Sequence, residues 1–170
     1  MIPIKPVLKS QYRAALSMLK QSVELCPEDL WTSTAHPNPF WHVAYHALFF
    51  LHTYLQPDIE SFRPWEKHRK EYEFWGPLPW PPHNRPKIEE PYTKEQVMEY
   101  LLICDEMIDS AVEKLDLDAP ECGFWWYKMS KLEHQFVNIR HVQHHAAQLM
   151  DRLRQVADMG VDWIGGTGDK

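Results

Sequence analysis

Residues 130–156 read SKLEHQFVNIRHVQHHAAQLMDRLRQV. Ser130 followed by Glu133 has the spacing of a capping box, in which two side chains satisfy the orphan amides that open a helix. No proline interrupts the run before Gly160, so one long helix is expected over this stretch. At about 100° per residue its side chains fall into three sectors. Leu132, Phe136, Ile139, Val142, Ala146, Leu149, Leu153 and Val156 form an apolar stripe expected to face a core. Glu133, Arg140, His144 and Asp151 form a polar sector expected to face solvent. The third sector carries His134, Asn138, His141, His145, Gln148 and Arg152. A face meant only for water ordinarily carries Lys and Glu, whereas this one carries imidazoles and amides.

Outward from this helix, three further segments have helical punctuation. Ser10 to Cys26 places Tyr12, Leu16, Leu19 and Val23 at intervals of three and four and stops at Pro27. Residues 39–55, PFWHVAYHALFFLHTYL, follow Asn38 as the expected N-cap, with Pro39 at the first helical position. Thr93 with Gln96 forms another capping box, opening a helix to about Leu115. Residues 57–92 hold eight of the fourteen prolines, together with Trp65, Trp75 and Trp80. A short helix through WEKHRKEYEFW after Pro64 is compatible with this segment, but PLPWPPHNRP is not helical. Its tryptophans argue for a packed lid or an interface, with a plain crossover connection as the alternative. No alternating strand pattern and no repeat is present. The expected fold is all-α, a four-helix bundle with a long Pro/Trp-rich connection between its second and third helices, in a single domain spanning 1–170.

Bulk properties narrow the function. The chain of 170 residues, 44% hydrophobic and 25% charged, is long enough to bury a core without a structural metal. Eighteen basic against twenty-four acidic residues, with no basic stripe, argue against nucleic acid as a partner. The N-terminus lacks a signal-peptide pattern, and the longest apolar run, Ala44 to Leu51, is too short to span a bilayer. Cys26, Cys104 and Cys122 are odd in number and far apart. They read as small buried thiols in a reducing, cytoplasmic setting.

Ten histidines are many for this length. His141 and His145 are four residues apart, which puts their Cβ atoms roughly 5–6 Å from each other on one helix face. Both rings can then reach one ion at the usual distance of about 2.0–2.1 Å. His144 is an alternative partner for His141 but lies nearer the solvent sector, and His134 is roughly 10 Å up the axis. No Glu lies between the pair, which excludes the HExxH arrangement of zinc peptidases. A third donor is expected from the apolar helix 39–55, where His46 shares a face with Phe49 and Phe50. A buried histidine needs a partner for each nitrogen or a metal. His42, one turn earlier on the same face, remains an alternative to His46. Three neutral imidazoles leave a coordination position open, as in catalytic sites. The open position favours a metal-dependent enzyme acting on a small molecule, with water or a thiol activated there. Asn138 and Gln148 are candidates to orient the ligands. The rival is a non-catalytic metal- or ligand-binding protein, a homodimer whose interface uses the tryptophan-rich loops and Phe124 to Tyr127.

The helix VAYHALFFLHTYL and the later RHVQHHAAQL resemble the DinB-like superfamily of four-helix metalloproteins, over nearly the whole chain. The resemblance implies an up-down-down-up bundle with a three-histidine site for a divalent transition metal, zinc or nickel. The family's ligands fall on His46, His141 and His145. Gln148 keeps the last residue of the HHxGQ pattern, while Ala147 stands where many members have Gly. His42 and His52 are additional histidines near the first ligand. Some members transfer thiols such as glutathione, mycothiol or bacillithiol, and one branch isomerises maleylpyruvate. A low-molecular-weight thiol is therefore an expected co-substrate. Many other members hold a metal without an assigned reaction, so resemblance alone does not choose the chemistry.

Overall fold

The computed structural model describes residues 3–167. They form five helices, α1 (Ile4–Leu25), α2 (Glu28–Trp31), α3 (Phe40–Tyr54), α4 (Lys94–Lys114) and α5 (Lys131–Ala157). There is no strand among the described residues, so the all-α class holds.

Helix α1 begins at Ile4, six residues before the expected start, with Pro3 as its N-cap. Pro6 lies in its first turn, where a missing N–H costs no intrahelical bond. The one-turn helix α2 was not expected. Its Leu30 and Trp31 are buried, and Trp31 Nε1 donates to the Tyr92 carbonyl at 2.9 Å. Helix α3 is capped by Pro39, not Asn38. The Pro39 carbonyl accepts the amides of His42 and Val43, and the Asn38 carbonyl accepts from Arg152 on α5 at 2.7 Å. The capping box at Thr93 and Gln96 is present. At the start of α5, Ser130 Oγ accepts the Glu133 amide at 3.2 Å. Helix α5 stops at Ala157, short of Gly160, because Asp158 takes the left-handed conformation (φ 52°) that ends a helix.

Helices α1 and α3 each pack against both α4 and α5. Within α3 only His46 and Phe50 escape full burial. The apolar stripe expected on α5 is misphased at both ends, since Phe136 is 48% exposed and Val156 is 60% exposed. Part of the imidazole and amide sector turns inward instead, with His134, Asn138 and His145 buried and Gln135, from outside that sector, buried beside them, while Gln148 is exposed. Gln135 and Asn138 offset part of their burial by hydrogen bonds to carbonyls in the last turn of α3, whereas neither ring nitrogen of the buried His134 has a partner among the described residues. Gln135 Nε2 donates to the Tyr54 carbonyl and Asn138 Nδ2 to that of Leu51, both at 3.3 Å.

Residues 55–93 contain turns but no regular element, so the short helix after Pro64 does not form. The backbone there folds back through i to i+3 turns at Trp65–His68, Arg69–Tyr72 and Glu71–Phe74. Glu71 adopts φ 69° in the left-handed region. These turns insert Trp65 and Tyr72 into the core, where Tyr92 also lies, and aim two carbonyls, those of Tyr72 and Glu73, at α3. The three cysteines are free and buried, as their role of small apolar residues requires. Burial pushes the Cys26 thiol up to about 12, and the Cys104 thiol is also raised by burial. No helix among the described residues is long and apolar enough to cross a membrane.

Candidate metal centre

His46 on α3 and His141 and His145 on α5 are brought together, each offering a nitrogen within 4.8 Å of the others. His141 Nε2 is central, 3.2 Å from His46 Nε2 and 3.0 Å from His145 Nε2. The i, i+4 spacing on α5 supplies two of these rings, and the packing of α3 on α5 supplies the third.

The outer nitrogens fix two of the tautomers. His46 Nδ1–H donates to the Glu73 carbonyl at 2.6 Å, and His145 Nδ1–H donates to Gln148 Oε1 at 2.8 Å. With the proton on Nδ1, each ring presents an unprotonated Nε2 lone pair to the centre. Burial lowers the pKa of all three, His46 well below the ordinary histidine range and His141 to about 3, with neighbouring imidazoles adding to the effect. Among the described residues no partner fixes the His141 tautomer, since its Nδ1 is unpaired. With the His141 proton on Nδ1, three lone pairs would meet at the centre, and a cation there would relieve their repulsion. Metal ligation requires the same protonation state. Among the described residues no carboxylate or thiolate joins the three, so the donor set fits a divalent ion with an open position.

Aromatic rings wall the cluster. The Trp75 ring lies 4.1 Å from that of His46 and 5.1 Å from that of His145. Phe50 lies 4.8 Å from His46 and 5.6 Å from His141. An open cleft of about 410 Å³, lined by Val137, Arg140, His141, Gln143 and His144, has one of the three histidines in its wall.

The remaining histidines have other roles. His42 is buried, stacks on Trp41, and donates from Nε2 to the Tyr72 carbonyl at 2.7 Å, so the cluster contains His46 instead. His144 is exposed on the outer face of α5. His134 is fully buried among Tyr54, Phe124 and Tyr127, away from the cluster. His52 is hydrogen-bonded to the Tyr100 hydroxyl at 3.0 Å. Of the two residues expected to orient ligands, Gln148 does so, whereas Asn138 bonds to the Leu51 carbonyl.

Sequence reasoning missed Glu73. Its carbonyl holds His46, and its own carboxyl is buried, which pushes the pKa up to about 7. It also missed Trp75 as the wall of the cluster. Neither residue lies in a helical pattern, and the first contributes through its main chain, which leaves no signature in side-chain spacing.

Comparison of the chain with protein-family models, with curated proteins and with solved structures finds no match in any of the three.

Proposed function

We propose that this chain is a metal-dependent enzyme of the DinB-like kind, an up-down-down-up four-helix bundle in which His46, His141 and His145 hold one zinc or nickel ion. The observation that carries the reading is the convergence of three Nε2 atoms on one another, with two outer nitrogens tied to oxygen acceptors. A divalent ion there would supply Lewis-acid activation, drawing the pKa of a bound thiol or water towards neutrality. The chain's own residues orient and enclose. The Glu73 carbonyl and Gln148 set the ring directions, while Trp75 and Phe50 exclude bulk water from one side. A small-molecule thiol is one substrate class that suits such a site, because thiolate activation needs an open position and no separate general base.

A second reading, a non-catalytic metal-binding protein acting as a homodimer, draws on Trp125, which is 81% exposed beside Trp126. The test is elemental analysis of the purified protein together with a screen of thiol cofactors against electrophiles. Stoichiometric zinc or nickel with thiol-dependent turnover supports the enzyme reading. Metal without turnover, in a protein that sediments as a dimer, supports the second, and absence of stoichiometric metal refutes both.

A further inference from the structure

The inference rests on the metal-ion reading above and concerns what fills the position the three histidines leave open. Three neutral imidazoles bring no negative charge to a divalent ion, and no carboxylate joins them among the described residues. A net double charge enclosed by Phe50 and Trp75 favours an anion as the remaining ligand, because charge is poorly screened away from water.

Trp75 adds a hydrogen-bond donor beside the cluster. Its Nε1–H is fully enclosed and has no acceptor in the protein. Buried donors are nearly always paired, so an orphan against a candidate site calls for a partner from outside the chain. The nitrogens of the rings it touches are already committed. His42 Nε2 bonds to Tyr72, while His46 and His145 use Nδ1 for Glu73 and Gln148 and turn Nε2 to the cluster. Trp65 also has an unpaired indole N–H, but its ring packs on Tyr92 and Tyr100 and not on the imidazoles. A thiolate offers one acceptor atom, whereas a carboxylate offers two side by side, one for an ion and one for an N–H donor.

We propose that Trp75 is a recognition residue for a small carboxylate-bearing ligand, one oxygen filling the open coordination position and the other accepting the Trp75 Nε1–H.

The test uses the full chain loaded with cobalt(II), whose visible bands report coordination, titrated with acetate and separately with chloride. Trp75→Phe keeps the ring and removes the donor. Loss of a hydrogen bond to a charged acceptor is expected to raise the acetate Kd about tenfold or more. Chloride, which has no second acceptor atom, is expected to bind both proteins alike. Equal acetate affinity in the two proteins overturns the proposal, and so does a chloride affinity weakened as much as that for acetate. Absence of cobalt bands in the wild-type protein overturns the metal reading instead. Should Trp75→Phe fail to fold or to take up cobalt, the indole 15N–H signal of Trp75 in the zinc-loaded wild-type protein decides. A downfield shift on adding acetate supports the proposal, and an unmoved signal refutes it.

Discussion

Replacing Gln148 by Leu separates ligand orientation from folding more cleanly than any change to a ligand itself. Gln148 Oε1 accepts the His145 Nδ1–H at 2.8 Å, and the rest of the side chain lies at the surface. Removing the acceptor leaves His145 free to rotate and to exchange tautomers, so part of its population presents Nε2 with a proton and cannot ligate. Loss of such an orienting partner typically weakens metal binding by about 10- to 100-fold. At about 1.4 kcal/mol per decade, that is roughly 1.4–2.8 kcal/mol of binding free energy. The fold should barely notice, since a surface substitution on a helix usually changes stability by no more than about 0.5 kcal/mol. Gln148→Glu, which restores an acceptor and adds charge, is expected to recover the affinity or exceed it. Zinc affinity is read by competition with a chromophoric chelator, and stability by urea unfolding of the metal-free protein. A Gln148→Leu affinity within twofold of wild type would refute the argument that this hydrogen bond fixes the ligand.

Replacing His46, His141 or His145 by Ala should in each case abolish stoichiometric metal by elemental analysis, while His42→Ala and His144→Ala keep it. A His42 variant that empties the site while His46→Ala leaves it filled would reverse the assignment on α3. Gly123 has φ 84°, and a Cβ there would lie 2.9 Å from the Asp58 Cα and closer still to the Pro57 carbonyl oxygen. Gly123→Ala should therefore destabilise the protein by about 2 kcal/mol or more through strain and overpacking, read as a lowered Tm. Burial pushes His52 and His134 down to about 4, so the unfolded chain takes up protons that the folded chain refuses. Their contribution is fully present above pH 6.5 and is lost as pH falls towards 4, by about 3 kcal/mol for each histidine. Urea unfolding of the metal-free protein at pH 7 and pH 4.5 measures this, and unchanged stability would contradict it.

The sequence made parts of this plain for identifiable reasons. Thr93 with Gln96 and Ser130 with Glu133 announce two helix starts because capping is local chemistry, written in residues three apart. The early start of α1 was hidden because Pro3 and Pro6 look like breakers, although proline is harmless in a first turn. His141 and His145 were legible as a pair because helical spacing alone fixes their common face. The choice between His42 and His46 was not, since they share a face of α3, and it is tertiary packing that spends Nε2 of His42 on the Tyr72 carbonyl and leaves Nε2 of His46 facing His141. The outward position of Phe136 was equally invisible, because the inward turn of Gln135 and Asn138 to α3 carbonyls is a tertiary pairing that apolar periodicity does not record.

That the main chain of Glu73 orients His46 determines which genetic changes the centre tolerates. Any residue at position 73 brings a carbonyl, so substitutions there can accumulate without misdirecting the imidazole. A one-residue insertion or deletion between Gln56 and Tyr72 is another matter, because it would slide the carbonyls of Tyr72 and Glu73 out of register with His42 and His46 together. Divergence in this segment should therefore proceed by exchange of side chains at constant length, with length changes confined to the stretch after Trp75.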